Sequence, residues 1–499
     1  MNTGDALLQA IVEDPDDDSL RLIYADWLAD HGEADRAEFI RLELAMAPLM
    51  PDFDEAPEEW DSPEYHRLST RAEKLGSEHD AEWFGPLNRL VEHFNTWRGF
   101  VHYADMTARR FADKAAEIFA AAPLLQRIYL DRFGKNVPAV ARRPELARIR
   151  GLGFLETTLG SAGLAELCRS EHVHNLRSID GMENRIGPEG GRALADSPHL
   201  GRLEKFDIPD NPFYDAGAEA VLTSRRLPTL RHLGLNNCGL TDWTARVLAR
   251  NDGPPLHTLN LGHNHLTALG AGYLAASPRL ASLRELTIFG NQLGDGVATL
   301  ATSPHLRSLR ELHVGWTQAT DAGLAAVLRS ENLAAVEELY LANNAFGPEA
   351  SAALAATRLA RMRRFHLRAC QLTPESMRHL AAADLPDLDE LELTANPVGA
   401  DGVRRLVATR LLRPVRELRL DGCGVGDDGA EALAGADVLG NVRVLSLDEN
   451  AIRSRGGLAL AKSPHLANVA RLYLRKNPLS KAAKKALLDR FGEGVVRFE

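Results

Sequence analysis

No apolar run in this chain approaches the roughly 18 residues that a membrane span needs, although 45% of its 499 residues are apolar. A soluble protein without a membrane partner is expected. Met1 to Asp18 carries acid where a secretory signal would carry a basic stretch and then an apolar one, so the expected compartment is the cytoplasm. Cysteine is scarce: Cys168, Cys238, Cys370 and Cys423 lie far apart, none at C-x-x-C spacing, which argues against disulfides and against a zinc site. The chain has no glycine-rich phosphate loop, G-x-S-x-G elbow or H-E-x-x-H pair, so the motif-bearing enzyme classes gain no support. Basic charge is also short. Residues 1–64 hold 19 Asp and Glu against 3 Arg, and the overall net charge of -11 leaves only +5 on the remainder. No broad basic field exists for a phosphate backbone, and nucleic acid is not the expected partner.

What is present is a repeated phrase. Leu256-His-Thr-Leu-Asn-Leu-Gly-His-Asn264 has Leu at its first, fourth and sixth positions and Asn at its ninth, and the template returns about every 26 or 27 residues. With Asn264 as reference, equivalents fall at Phe133, Thr157, Asn184, Asn211, Cys238, Asn291, Thr317, Asn344, Cys370, Asn396, Cys423, Asn450 and Asn477, making 14 repeats. Alternating aliphatics before each reference residue predict a short strand with one buried face, and equal register predicts a parallel sheet. The reference Asn should bond the backbone of adjacent turns. Beyond it, Asp215, Asp242, Asp295, Asp321, Asp427 and Ser454 stand where a helix should begin and are expected to cap it. Ser-Pro at 197, 277, 303 and 463 should stop the helix before the next strand. This wording resembles leucine-rich repeats of the ribonuclease-inhibitor-like type over about residues 120–499. The expected fold is α/β, a leucine-rich-repeat solenoid of horseshoe form with a parallel inner sheet and outer helices, preceded by a small all-α domain.

In the front of the chain, helical spacing is read over Gly4 to Glu13, then in a stripe of Leu20, Ile23, Tyr24, Trp27 and Leu28, then over Asp35 to Met46. The run Asp14-Pro-Asp-Asp-Asp-Ser-Leu-Arg-Leu-Ile-Tyr-Ala-Asp-Trp-Leu-Ala-Asp-His-Gly32, with Arg36-Ala-Glu-Phe-Ile-Arg-Leu-Glu43, resembles the bacterial repeat-companion domain, which sits ahead of leucine-rich repeats. The resemblance implies an architecture and no chemistry. Boundaries follow as residues 1–48 for the helical domain, 49–63 for an acidic Pro-rich linker, 64–119 for a helical cap and first strand, 120–494 for the repeats, and 495–499 for a capping strand.

No catalytic, cofactor or metal residues are expected. The pairs His172-x-His174 and His263-x-His265 lack a third ligand nearby in sequence. The site expectation comes from the strand residues left facing the concave side. Four before the reference position the column reads Thr287, His313, Tyr340, His366, Glu392 and Arg419, with Phe289 and Trp316 beside it and Arg364 and Arg368 close by. Aromatic and Arg residues gathered this way are typical interface anchors. A second column, Glu285, Glu311, Glu338, Arg364, Glu390 and Glu417, is mostly acidic and suits a basic partner. The function implied is a non-enzymatic scaffold, expected as a monomer, that recognises a partner protein on Phe289, His313, Trp316, Tyr340, Arg364, His366 and Arg368. The alternatives are a GTPase-activator-like regulator and an effector or ubiquitin-ligase-type adaptor.

Overall fold

The computed structural model describes residues 3–50, 63–154, 158–250 and 253–498. Most of the linker expected over 49–63, and the reference position Thr157, lie outside these residues. The chain divides into two compact units, Met1–Pro212 with Ser224–Leu230, and Phe213–Thr223 with Arg231–Glu499.

The first unit opens with helices α1 (Thr3–Glu13), α2 (Asp18–Asp30), α3 (Ala34–Met46) and α4 (Pro63–Glu78). Asp17 caps α2 by accepting from Ser19 N, as the acidic run before it suggests. Ile23, read above as part of the buried stripe, is 49% exposed. Leu28 is buried with Arg21 and Ala25, and Leu20, Tyr24 and Trp27 pack partly buried against the same core, so the expected face holds except at Ile23. Strands β1 (His93–Trp97) and β2 (Phe100–Thr107) form an antiparallel hairpin, and β2 begins a parallel series with β3 (Arg127–Asp131), β4 (Gly151–Gly153), β5 (Ser178–Asp180) and β6 (Lys205–Asp207). Trp97 ends the hairpin's first strand.

The helices and hairpin share one core, in which Ile11, Ala25, Leu28, Ala37 and Ile40 pack with Phe100 and Leu124. Two inward-turned charges, buried Glu43 and half-buried Arg36, hold that junction. Arg36 lies 4.9–5.6 Å from the rings of Phe39, Trp83, Phe84 and Phe100, and its Nη2 donates to Gly99 O at 2.6 Å. Glu43 accepts from Gly99 N at 2.6 Å and from the Thr96 hydroxyl. Burial pulls Arg36 down to about 10, while Glu43 works in the opposite direction. Gly99 sits at φ +86°, and a Cβ there would fall 2.5 Å from Ile40 Cγ1, so the contact requires glycine.

The second unit is a parallel series from β7 (His232–Gly234) through β8 (Thr258–Asn260), β9 (Glu285–Thr287), β10 (Glu311–His313), β11 (Glu338–Tyr340), β12 (Arg364–His366), β13 (Glu390–Glu392), β14 (Glu417–Arg419), β15 (Val444–Ser446) and β16 (Arg471–Tyr473) to β17 (Val496–Arg497). A helix of six to nine residues separates most neighbours, as in Asp242–Ala249 and Asp321–Leu328. Leu256, Leu259, Leu261, Leu266 and Leu274 are fully buried, each worth roughly 1.5–3 kcal/mol of transfer free energy.

Three side-chain ladders join the turns. Asn264 Oδ1 accepts from Cys238 N and Leu240 N, both at 3.0 Å, while its Nδ2 reaches Leu235 O and Leu261 O, as the template suggests. The helix-start acids behave differently from expectation. Asp242 accepts Thr267 N and Oγ1 of the following repeat at 2.8 and 2.6 Å, and Asp321 accepts Glu349 N and Ala350 N. Thr241, Thr267 and Thr320 cap their own helices, so these Asp residues staple the next repeat. Close approach explains a glycine here: a Cβ on Gly270 would fall 2.3 Å from Asp242 Oδ1. The third ladder is serine, with Ser197, Ser277, Ser303 and Ser463 donating to Cys168 O, Leu248 O, Ala275 O and Ala434 O at 2.6–2.7 Å. The four cysteines are buried thiols outside any disulfide. Burial raises Cys168, Cys370 and Cys423 to about 12.

Candidate functional site

Register alone brings the central column together. His313 pairs with Tyr340 and Tyr340 with His366 on β10, β11 and β12, while Glu311, Glu338 and Arg364 align two residues before them. Successive parallel strands stand about 4.8 Å apart, close enough for rings on adjacent rungs to stack. The His313 and Tyr340 centroids are 3.7 Å apart with planes at 15°, and those of Tyr340 and His366 are 4.3 Å apart at 34°. Three rings from three repeats therefore form one half-buried platform.

Carboxylates hold its edges. His313 Nε2 lies 2.5 Å from Glu311 Oε1, and Tyr340 Oη donates to Glu338 Oε2 at 3.0 Å. Burial raises the Tyr340 phenol, and Glu338 and Glu311 add to the shift, so the hydroxyl remains a donor. Arg364 Nη1 donates to Glu338 at 3.1 Å and its Nε lies 3.7 Å from Glu390. His366 is enclosed most tightly, with Nδ1 2.9 Å from Glu392 Oε2 and Nε2 3.4 Å from Glu390 Oε1. The second contact is an ion-pair distance without hydrogen-bond alignment. Burial, the largest influence on His366, opposes its charge, yet Glu390 and Glu392 together outweigh it and lift the imidazole to about 9. Burial likewise works to raise both glutamates, but His366 holds them below the usual carboxylate range.

The other anticipated residues stand farther out. Phe289 packs edge-on against His263 at 4.5 Å, and a Cβ on Gly262 would fall 2.6 Å from it, so its ring leans over β8 rather than the platform. Trp316 leaves the trailing end of β10 in the left-handed region at φ +54° and is 57% exposed. Arg368 is exposed beyond β12. In the intervening column the small residues Gly315 and Ala342 stand two positions after His313 and Tyr340.

Two features escaped the sequence reading. Tyr214, Trp243 and Leu269 are exposed at 52%, 39% and 59% around the starts of three successive helices. Charged Glu349, Glu375, Asp428 and Arg455 occupy the position of Trp243 and Leu269 in other repeats, a contrast visible in an alignment of the repeats. A cleft of about 640 Å³ lies at the leading ends of the strands, lined by Glu337, Arg361, Arg363, Asp387, Asp389 and Arg416. It does not coincide with the ring platform, whose residues form an open face. Among the described residues no cluster of three or more His, Cys, Asp or Glu is arranged to hold a metal ion. Likewise, no helix among them is long and apolar enough to cross a membrane.

The family description of the leucine rich repeat matches residues 254–275 and 412–434, each including the reference-position segment or the strand and helix beside it. The fold is that of leucine-rich repeats. A leucine-rich repeat protein of Leptospira interrogans is 18% identical at a TM-score of 0.39, over 77% of this chain and 92% of that one. An internalin of Listeria monocytogenes is 15% identical at 0.37, over 71% and 82%. A chain of the yeast Rad7–Elc1 complex is 17% identical at 0.43, over 86% and 96%. No curated protein matches the sequence.

Proposed function

We propose that the chain is a binding scaffold, without catalysis of its own, that recognises a partner protein through the sheet face at β9 to β12. The observation that supports this reading is the stacked His313–Tyr340–His366 platform with its flanking carboxylates. Rings fixed by neighbouring strands lose little further freedom on binding, which is what an anchor residue needs. Arg364 and Arg368 complete the patch, and Trp316 and Phe289 supply apolar area at its border. The five glutamates among the six residues from Glu285 to Glu417 favour a partner surface carrying Lys or Arg over a phosphate backbone.

The helix in each repeat, longer than a single turn, supports assignment to the ribonuclease-inhibitor-like type. Helices α1 to α3 form the repeat-companion domain of a bacterial, cytoplasmic, monomeric protein in this reading. The test is affinity capture by the full chain against its Trp316→Ala/Tyr340→Ala variant, followed by titration of the purified prey. Loss of the same prey by the variant, with at least a tenfold weaker titration, is expected. Equal binding by both proteins would remove the patch from the function.

A further inference from the structure

Within the first unit a cleft of about 360 Å³ opens between the end of α1 and the leading ends of the strands. Its geometry follows from the backbone. Arg150 N and Gly151 N donate to Gln126 O, Arg177 N and Ser178 N to Arg150 O, and Glu204 N and Lys205 N to Arg177 O, at 2.7–3.0 Å. Gln126, Arg150 and Arg177 thus occupy successive rungs about 4.8 Å apart. Arg148, Asn175 and Arg202 each stand two residues ahead of a rung residue and form an outer row.

Two guanidinium groups are already positioned. Arg202 Nη1 donates to Asn175 Oδ1 at 2.7 Å, and Asn175 Nδ2 in turn donates to Ala147 O at 2.7 Å. Arg148 lies 4.6 Å from the Phe119 ring and donates to Pro123 O. Among the described residues neither Arg148 nor Arg202 forms a close ion pair, although Glu145 acts on Arg148, and Arg177 has a half-exposed contact of 3.7 Å with Glu204 and feels the Asp16 carboxylate. Val12, Glu13 and Pro15 provide the opposite wall. Beside that wall a carboxylate already uses one arginine: Asp16 Oδ1 and Oδ2 accept from Arg150 Nη1 at 2.8 and 3.0 Å. That hydrogen bond holds the Asp16 carboxyl below its usual range.

We propose that this cleft binds a phosphoryl dianion, with Arg148, Arg177 and Arg202 as its ligands and Arg150 shared with Asp16. Guanidinium groups that line the cleft from different rungs can meet different oxygens of a tetrahedral anion, and their fork geometry suits phosphate. The volume is near the lower end of the roughly 300–1,000 Å³ of small-ligand pockets, so the phosphoryl group can carry a substituent. A small phosphate monoester and a phosphorylated side chain of a partner present the same chemistry.

Calorimetric titration of the full chain at fixed ionic strength tests this with inorganic phosphate, free phosphoserine and a phosphoserine peptide. Saturable binding is expected, weakened at least tenfold by Arg202→Ala, less by Arg202→Lys, and strengthened several-fold by Asp16→Asn. Equal affinity for phosphoserine and the peptide identifies a small phosphate, and tighter peptide binding identifies a modified partner. In the wild-type protein phosphate should also shield Arg177 and Arg202 from phenylglyoxal, a readout that needs no variant to fold. Absence of saturable binding and shielding, or affinity unchanged in both Arg202→Ala and Arg177→Ala, overturns the proposal.

Discussion

Replacing Asn264 with Ala removes a side chain that is 4% exposed and serves two repeats at once. Its Oδ1 is the acceptor for Cys238 N and Leu240 N, so the substitution strands two buried donors. The carbonyls of Leu235 and Leu261 lose Nδ2 as well. An orphaned buried donor costs about 1–3 kcal/mol, so two place the loss at roughly 2–6 kcal/mol, a large share of the stability of an ordinary domain. Cys238→Ala is the matched comparison, because the Cys238 thiol makes weak contacts such as that of 3.4 Å with Asn236 O, while its backbone N–H keeps Asn264. That variant should lose about 1 kcal/mol or less. Urea unfolding reads the totals. Because repeat arrays unfold in segments, hydrogen exchange at the Cys238 and Leu240 amides is the more direct assay, and both should lose protection in Asn264→Ala. If Asn264→Ala matches Cys238→Ala in midpoint and in exchange, the Asn ladder does not hold the repeats as described.

The aspartate staples are more exposed, so Asp242→Ala should cost about 1 kcal/mol, comparable with loss of a helix cap, and should speed exchange at Thr267 N in the next repeat. Unchanged exchange there would return Asp242 to a role within its own helix. His366 has a folded pKa of about 9 against the ordinary 6.5, so its stabilising contribution is complete below about pH 6.5 and lost as pH rises through about 9. Thermal unfolding should show that loss in wild type and lack it in His366→Gln, and an imidazole titrating near 6.5 by NMR would refute the assignment. Cys168, Cys370 and Cys423, raised to about 12 by burial, should resist iodoacetamide at pH 8 until urea unfolds the chain. Rapid native labelling would contradict their burial.

What could be read in the sequence was whatever repeats. Leu256, Leu259 and Leu261 recur at the same offsets, so strand, buried face and register followed without coordinates. The column of His313, Tyr340 and His366 followed from that register, because parallel strands in step bring equal offsets side by side. Direction along the solenoid was not legible. Asp242 and Asp321 stand at helix starts, where a short acid normally caps its own helix; only the path of the chain shows that the neighbouring repeat's amides lie nearer. Phe289 illustrates the same limit, since its offset gives the face but not the lean toward His263.

The front of the chain is legible for a different reason and to a smaller extent. Helix spacing located α1 to α3, but period alone could not choose between Ile23 and Arg21 as the inward residue of α2. The choice is made by tertiary partners: Arg21 lies 5.9 Å from the Phe100 ring and reaches Asp17 O, while Ile23 faces solvent. Arg36 and Glu43 carry the same lesson further, because a charged residue on a short helix normally marks its solvated side. Here both charges point inward to the two backbone groups of Gly99, which a tight turn leaves without strand partners. Hydrogen-bond demand at one glycine thus turns Glu43 inward beside the apolar Ala37, Phe39, Ile40 and Met46 of α3, and that demand arises 56 residues away from Glu43 in the chain.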